Sequence, residues 1–228
     1  MPRRPLRLLA LLAALIIGLV ASCGGSGSGG TNTPPPPDGA ELLAKSADAM
    51  RGVTSVRFGI DVDGVLTIAG VQIKSATGQL TNEGSAKGNA TADMGRQLYE
   101  LAFVIIGKDL YLRGPTGGFS KLSAADSLSA FTVLLNPDRG MAAVLASGAA
   151  AENEGREQVG GVDSYRVKAS FSGQSLVKLL GPTEDVTGQV WIAANDFRVV
   201  QAVFPIDDGN VTFRFSDFNA PADITAPK

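Results

Sequence analysis

Alternation with a period of two is the feature that most limits the fold. Val56, Phe58, Ile60 and Val62 alternate with Arg57, Gly59, Asp61 and Asp63, so this segment has one apolar and one solvated face, as a half-buried strand does. Strand-like segments follow at about 71–82, 85–94, 98–106 and 110–113, and again at 151–158, 164–171, 188–193, 198–204 and 210–218. Several are joined by turns as short as Gly107-Lys108-Asp109, Gly160-Gly161, Asn195-Asp196 and Asp208-Gly209, which leave no room for a crossover helix. Such strands pair antiparallel. The period turns helical over 40–50, where Asp38 and Glu41 have capping-box spacing and Leu43, Ala47 and Met50 share a face. It turns helical again over 124–147, broken at Asn136-Pro137, and over 174–180, stopped by Gly181-Pro182. The reading is a single α+β domain over 39–228, an antiparallel sheet with helices on one face.

Residue types narrow the chemistry. The 228 residues include no histidine and one cysteine, which excludes Ser-His-Asp and Cys-His catalysis, His-ligated metal sites and an internal disulfide. The net charge of −2 already disfavours nucleic acid, and three of the arginines sit in a leader. There Arg3, Arg4 and Arg7 precede an apolar run, Leu8 to Val20, that is too short to span a bilayer comfortably and reads as a secretory signal over 1–22. Val20-Ala21-Ser22-Cys23 resembles a bacterial lipobox, which makes Cys23 an acylation site and a membrane tether. Residues 23–38 form a linker, Gly/Ser-rich and then Pro34 to Pro37, able to reach on the order of 40 Å. The expected location is the outer face of the cell membrane.

One strand is unusual. Over 85–94 one face carries Ala86, Gly88, Ala90, Ala92 and Met94, side chains too small, apart from the methionine, to fill the space beneath helices. Either the helices pack close against it or an apolar pocket lies there.

Other chemistries are thinly supported. Ser175 and Lys178 have Ser-x-x-Lys spacing, but neither a Ser-Asp-Asn nor a Lys-Thr-Gly partner follows, and the chain is expected not to be an enzyme. Glu152, Glu154 and Glu157 read as a solvated strand face. A non-catalytic envelope regulator that senses lipid or a protein partner stands as the alternative function.

The lipobox and linker, the first helix and strand, the hairpin from Phe103-Val104-Ile105-Ile106 to Leu110-Tyr111, and the segment Leu134-Leu135-Asn136-Pro137-Asp138-Arg139-Gly140-Met141-Ala142-Ala143-Val144-Leu145 together resemble the mycobacterial LppX, LprA, LprF and LprG lipoproteins, LprG most of all. So do Glu154-Gly155-Arg156, Gly160-Gly161 and Val190-Trp191-Ile192. The resemblance spans the mature chain, and its departures fall in surface loops and tails, leaving headgroup preference open. It implies a half-barrel like that of the LolA and LolB carriers, with a helix-covered concave face and a cavity for the acyl chains of triacylated lipids. It further implies a lipoglycan, phosphatidylinositol mannoside, triacylglycerol or phthiocerol dimycocerosate as cargo, a major-facilitator exporter as partner, and Ala90 and Ala92 near the mouth. A monomer without cofactors or metals is expected. The candidate wall is Val56, Phe58 and Ile60, then Ala90, Ala92 and Met94, then Tyr99, Leu101, Phe103 and Ile105, facing Phe131, Leu135, Met141, Val144 and Leu145. Over 98–106 both faces are apolar, and only Glu100 decides that Tyr99 and Leu101 point inward.

Overall fold

The computed structural model describes residues 36–68, 71–95, 97–123, 132–181 and 183–228. Helix α1, Gly39–Arg51, buries Leu42, Leu43, Ser46, Ala47 and Met50, a stripe at helical spacing. Asp38 sits at its N-cap position, but its side chain makes no capping hydrogen bond. Glu41 instead meets Lys45 at 2.6 Å, one turn on, so the expected capping box does not form and an exposed ion pair takes its place.

From α1 the chain runs through six consecutive antiparallel strands: β1 Ser55–Ile68, β2 Val71–Thr81, β3 Ala86–Asp93, β4 Leu98–Ile106, β5 Asp109–Arg113 and β6 Ser120–Ser123. Helix α2, Met141–Ala146, leads into β7 Ala149–Val159 and β8 Val162–Phe171. Helix α3, Gly173–Leu180, precedes β9 Val186–Ala193, β10 Val199–Ile206 and β11 Gly209–Ser216. The 11 strands of the described residues form one sheet, in the order β6-β5-β4-β3-β2-β1-β11-β10-β9-β8-β7. Two meanders therefore meet where the first strand pairs with the last, Phe58 opposite Phe215 and Ile60 opposite Phe213.

This order explains the helical covering. β6 and β7 lie on opposite edges, so the connection between them must traverse a face of the sheet. Its described part, from 132 on, lies on the apolar one, where α2 packs against α1 and touches α3. The first part of the expected helical run, 124–131, lies outside the described residues. The break at Asn136-Pro137 is a wound loop: Asn136 N–H donates to Val133 O at 2.8 Å, Gly140 N–H to Asn136 O at 2.8 Å, and Met141 N–H to Leu134 O at 2.9 Å.

Strand β6 is an addition to the sequence reading. Ser120-Lys121-Leu122-Ser123 has one apolar residue and no pattern of its own, and it is a strand because Leu122 pairs with Leu110 of β5. Alternation places the main core on one side, while Trp191, Ala193 and Val200 form a small second buried cluster on the other. Val56, Phe58, Ile60, Leu80, Phe103, Ile105, Val190, Ile192, Phe204, Val211 and Phe213 all belong to one buried cluster with the helices. Burial of each large side chain contributes about 1.5–3 kcal/mol.

Candidate functional site

The ladders place the candidate wall in rows. Phe58 stands opposite Gly78, Gly78 opposite Gly88, and Gly88 opposite Phe103. The next inward row runs Ile60, Ala76, Ala90, Leu101, and the one beyond it Leu66, Ile73, Ala92, Tyr99. Large side chains on β1 and β4 thus flank a trough of glycine and alanine on β2 and β3. At its centre the two backbones nearly touch: a Cβ on Gly78 would lie 2.2 Å from the Lys87 carbonyl oxygen, and one on Gly88 2.0 Å from that of Thr77. Glycine alone fits such an approach, and the pair forms a crease that folds the sheet toward its inner side.

Val56, Phe58, Ile60, Ala90, Ala92, Leu101, Phe103, Ile105, Leu135, Met141, Val144 and Leu145 are all buried in one cluster, and Tyr99 packs against it half-buried. The inward register of Tyr99, Leu101, Phe103 and Ile105 holds, while Leu98 and Glu100 on the other face are exposed. Met94 is a correction. Strand β3 ends at Asp93, the Met94 amide bonds to Gln97 O across a turn at 3.2 Å, and its side chain is 53% exposed, so it belongs to the surface and not to the buried face. Phe131 and Cys23 lie outside the described residues. Sequence reasoning missed Ala76 and Gly78, whose signal was present: they are small residues two apart on β2 that match Ala90 and Gly88 once the turn at 82–85 fixes the register. It also missed the share of β10 and β11, where Phe204 packs edge-on against Phe171 with centroids 5.3 Å apart and against Phe213 at 6.2 Å.

The charged groups of the sheet pair on its other side, while those of the helices, such as Glu41 and Lys45, lie on exposed helix surface. Arg57 Nε bonds to Asp217 Oδ2 at 2.7 Å, and Arg214 pairs with Asp61. Glu154 and Glu157 flank Arg166: the Glu157 carboxylate accepts from Arg166 Nη1 at 3.2 Å, while Arg166 Nε faces Glu154 at 3.1 Å without hydrogen-bond alignment. Glu157 also accepts from Trp191 Nε1 at 2.6 Å, and Glu154 from Gln189 Nε2 at 2.8 Å. Glu152, Glu154 and Glu157 are all exposed, as a solvated face requires, and the last two tie this face together through ion pairs and hydrogen bonds. Ser175 is half-buried and Lys178 exposed on α3. Among the described residues no group of three or more acidic or sulfur side chains is placed to hold a metal, and no helix is long and apolar enough to cross a membrane.

Among the described residues the site is a curved antiparallel sheet whose apolar concave face is covered by helices, the half-barrel architecture of the lipoprotein class to which its relatives belong. The LppX_LprAFG lipoprotein family model matches residues 38–224, and the chain belongs to that family. It is 33% identical to the lipoarabinomannan carrier protein LprG of Mycolicibacterium smegmatis, over 99% of this chain and 98% of the relative. It is 31% identical to the protein of the same name from Mycobacterium tuberculosis, over 99% of this chain and 98% of that one. In fold it is similar to the crystal structure of LprF from Mycobacterium bovis, with a TM-score of 0.74 at 23% identity, covering 85% of this chain and 98% of that one. Mycobacterium tuberculosis LppX is similar with a TM-score of 0.61 at 22% identity, over 81% and 98% of the two chains.

Proposed function

We propose that this chain is a membrane-tethered carrier that takes the acyl chains of a triacylated lipid, triacylglycerol or lipoglycan into apolar space between its concave sheet and its helices, and moves them across the cell envelope. The observation that supports it most is the trough. Ala76, Gly78, Gly88 and Ala90 form the floor between walls of Phe58, Ile60, Leu101 and Phe103, with Leu135, Met141, Val144 and Leu145 among the residues of the covering segment. Exposing an acyl chain to water costs about 0.8 kcal/mol per methylene, so a lipid with three chains crosses an aqueous gap slowly unless something dry encloses it. Enclosing it requires an apolar lining, a mouth that leaves the headgroup in water, and no reacting group.

The relatives named as lipoarabinomannan carriers favour a lipoglycan. Acylated Cys23 holds the protein on the outer face of the membrane, the linker lets the domain stand away from it, and a major-facilitator exporter is the partner for loading or onward transfer. The carrier works as a monomer without cofactor or catalysis.

The compact unit Pro36–Lys228, purified from a host that makes these lipids, separates bound acyl chains from covalent ones. Native mass spectrometry is expected to show a lipid-bearing mass, and Ala90→Trp is expected to reduce both that mass and lipid transfer between vesicles. An apo mass alone, with transfer untouched by Ala90→Trp, would sink the carrier reading.

A further inference from the structure

The outer face of the sheet, away from the trough, holds a groove of about 460 Å³. Gly59 lies in its floor, and the row through it runs Thr77, Gly59, Arg214, Gln201, Trp191 across β2, β1, β11, β10 and β9. Because Gly59 has no side chain, the space above it stays open: an added Cβ would meet nothing nearer than Arg214 Cβ at 3.9 Å. Val159 and Val162, from the tip of the β7–β8 hairpin, line the same groove as Thr77 although several strands separate them in the sheet. The hairpin tip therefore leans over the outer face and forms the far wall. The irregularity between Val199 and Gln201 turns Val200 to this side as well, where it packs with Trp191 and Ala193.

The charged groups of the groove are held in pairs. Arg57 donates from Nε to Asp217 Oδ2 at 2.7 Å, and Arg214 donates from Nη1 to Asp61 Oδ2. Each pair fixes its guanidinium and still leaves N–H donors and carboxylate lone pairs with no hydrogen-bond partner among the described residues. The side chains of Gln201 and Thr77, which also line the groove, make no hydrogen bond among those residues. Donors and acceptors thus stand side by side next to three valines, and the charges of the two pairs cancel.

We propose that this groove binds a neutral glycan. A sugar hydroxyl both donates and accepts, so adjacent hydroxyls are met by a guanidinium and a carboxylate held together, while the C–H face of the ring packs on the valines. An anion fits worse, because each arginine already faces a carboxylate that repels it. An acyl chain or an apolar peptide also fits worse, since it strips water from two ion pairs and returns no hydrogen bond. The proposal goes beyond the carrier reading: groove and trough lie on opposite faces of the sheet, and a sugar that has no acyl chain tests the groove alone.

The test uses the full chain, matured by its host and held in a detergent without a sugar headgroup. It is titrated with mannose and arabinose oligosaccharides free of acyl chains and, separately, with inorganic phosphate. The amide resonances of Gly59, Thr77 and Gln201 are expected to shift with an oligosaccharide, and those of Ala90 and Leu135 in the trough to stay. Arg214→Gln, which keeps Asp61, and Gly59→Val, which fills the open floor, are each expected to weaken that binding by about tenfold and to leave the lipid-bearing mass intact. No shift with either sugar, binding unchanged in both variants, or a response to phosphate alone overturns the proposal. Protein loaded with a lipoglycan separates the two sources of sugar: free oligosaccharide binds it as before if the groove takes another glycan of the envelope, and about tenfold more weakly if the cargo's own glycan fills the groove. Either result supports the groove. Sugar binding without any lipid-bearing mass supports the groove and overturns the carrier reading, so the two fail separately.

Discussion

Gly78 and Gly88 stand directly opposite each other on β2 and β3, so close that neither has room for a Cβ. The clash at either position is with backbone and not with the end of a flexible side chain, so the strands must part to relieve it. Gly78→Ala and Gly88→Ala are each expected to cost about 1–3 kcal/mol, read as a lower midpoint in urea. Gly59 provides the contrast. On the outer face of β1, an added Cβ would meet nothing nearer than Arg214 Cβ at 3.9 Å, so Gly59→Ala is expected to be neutral or stabilising by about 0.5 kcal/mol. Equal tolerance at all three positions is incompatible with a crease.

The loop before α2 makes a similar demand. A Cβ on Gly140 would lie 2.2 Å from Val133 O and 2.4 Å from Leu134 O, because the loop closes on itself through the Asn136 and Met141 hydrogen bonds. Gly140→Ala is expected to push α2 outward and to unseat Met141, Val144 and Leu145, which are at most 1% exposed. Amide exchange at Met141 and Val144 should quicken by more than tenfold, corresponding to at least about 1.4 kcal/mol of local stability. Asn136→Ala loses only the bond from the Asp138 amide to Asn136 Oδ1, 3.1 Å long, and should cost about 1 kcal/mol or less.

Alternation was enough to read β1, because a strand with one wet face writes its burial into the sequence directly, whereas β9 and β10 bury residues on both faces and were found from their apolar runs and the turns between them. Leu98 to Ile106 was ambiguous, both faces being apolar, and Glu100 decided it correctly because a carboxylate on the inner face would have no partner. Short-range pattern says nothing of long-range pairing. That β1 sits beside β11, and that the small residues of β2 and β3 face one another, depends on contacts far apart in sequence. Asp38 and Glu41 show the converse failure: the capping spacing is present, yet Glu41 finds Lys45 a turn away and the cap goes unmade.

β6 holds its edge position partly through Lys121, whose ammonium meets Asp109 Oδ2 at 2.8 Å. The hydrogen bond to Asp109, then the Coulomb attraction of the same carboxylate, raises the lysine above its usual 10.5. A raised value means that the folded state holds this proton more tightly than the unfolded one, so the contribution is complete below the ordinary lysine range and disappears as the pH climbs through the raised value. The stability difference between the native chain and Lys121→Gln should be small, constant from acidic-neutral to mildly alkaline pH, and absent beyond the lysine range. A difference that grows with alkalinity would contradict the pairing. Both side chains are exposed, so added salt should shrink the difference as well.

Ser46 carries the last expectation. It is fully buried on α1 in the same stripe as Leu42, Leu43 and Met50, and among the described residues its Oγ has no hydrogen-bond partner. An unpaired buried hydroxyl costs about 1–3 kcal/mol, and serine is also the poorer helix former, so Ser46→Ala should stabilise the lipid-free protein by about 1 kcal/mol or more. Urea unfolding of delipidated protein measures this. Repeating the measurement on lipid-loaded protein gives the hydroxyl a second test. If the gain persists, Ser46 is a packing imperfection of the helix; if it vanishes, a polar group of the cargo satisfies Oγ in the loaded state, since only a partner present in one state and absent in the other can move the difference between them.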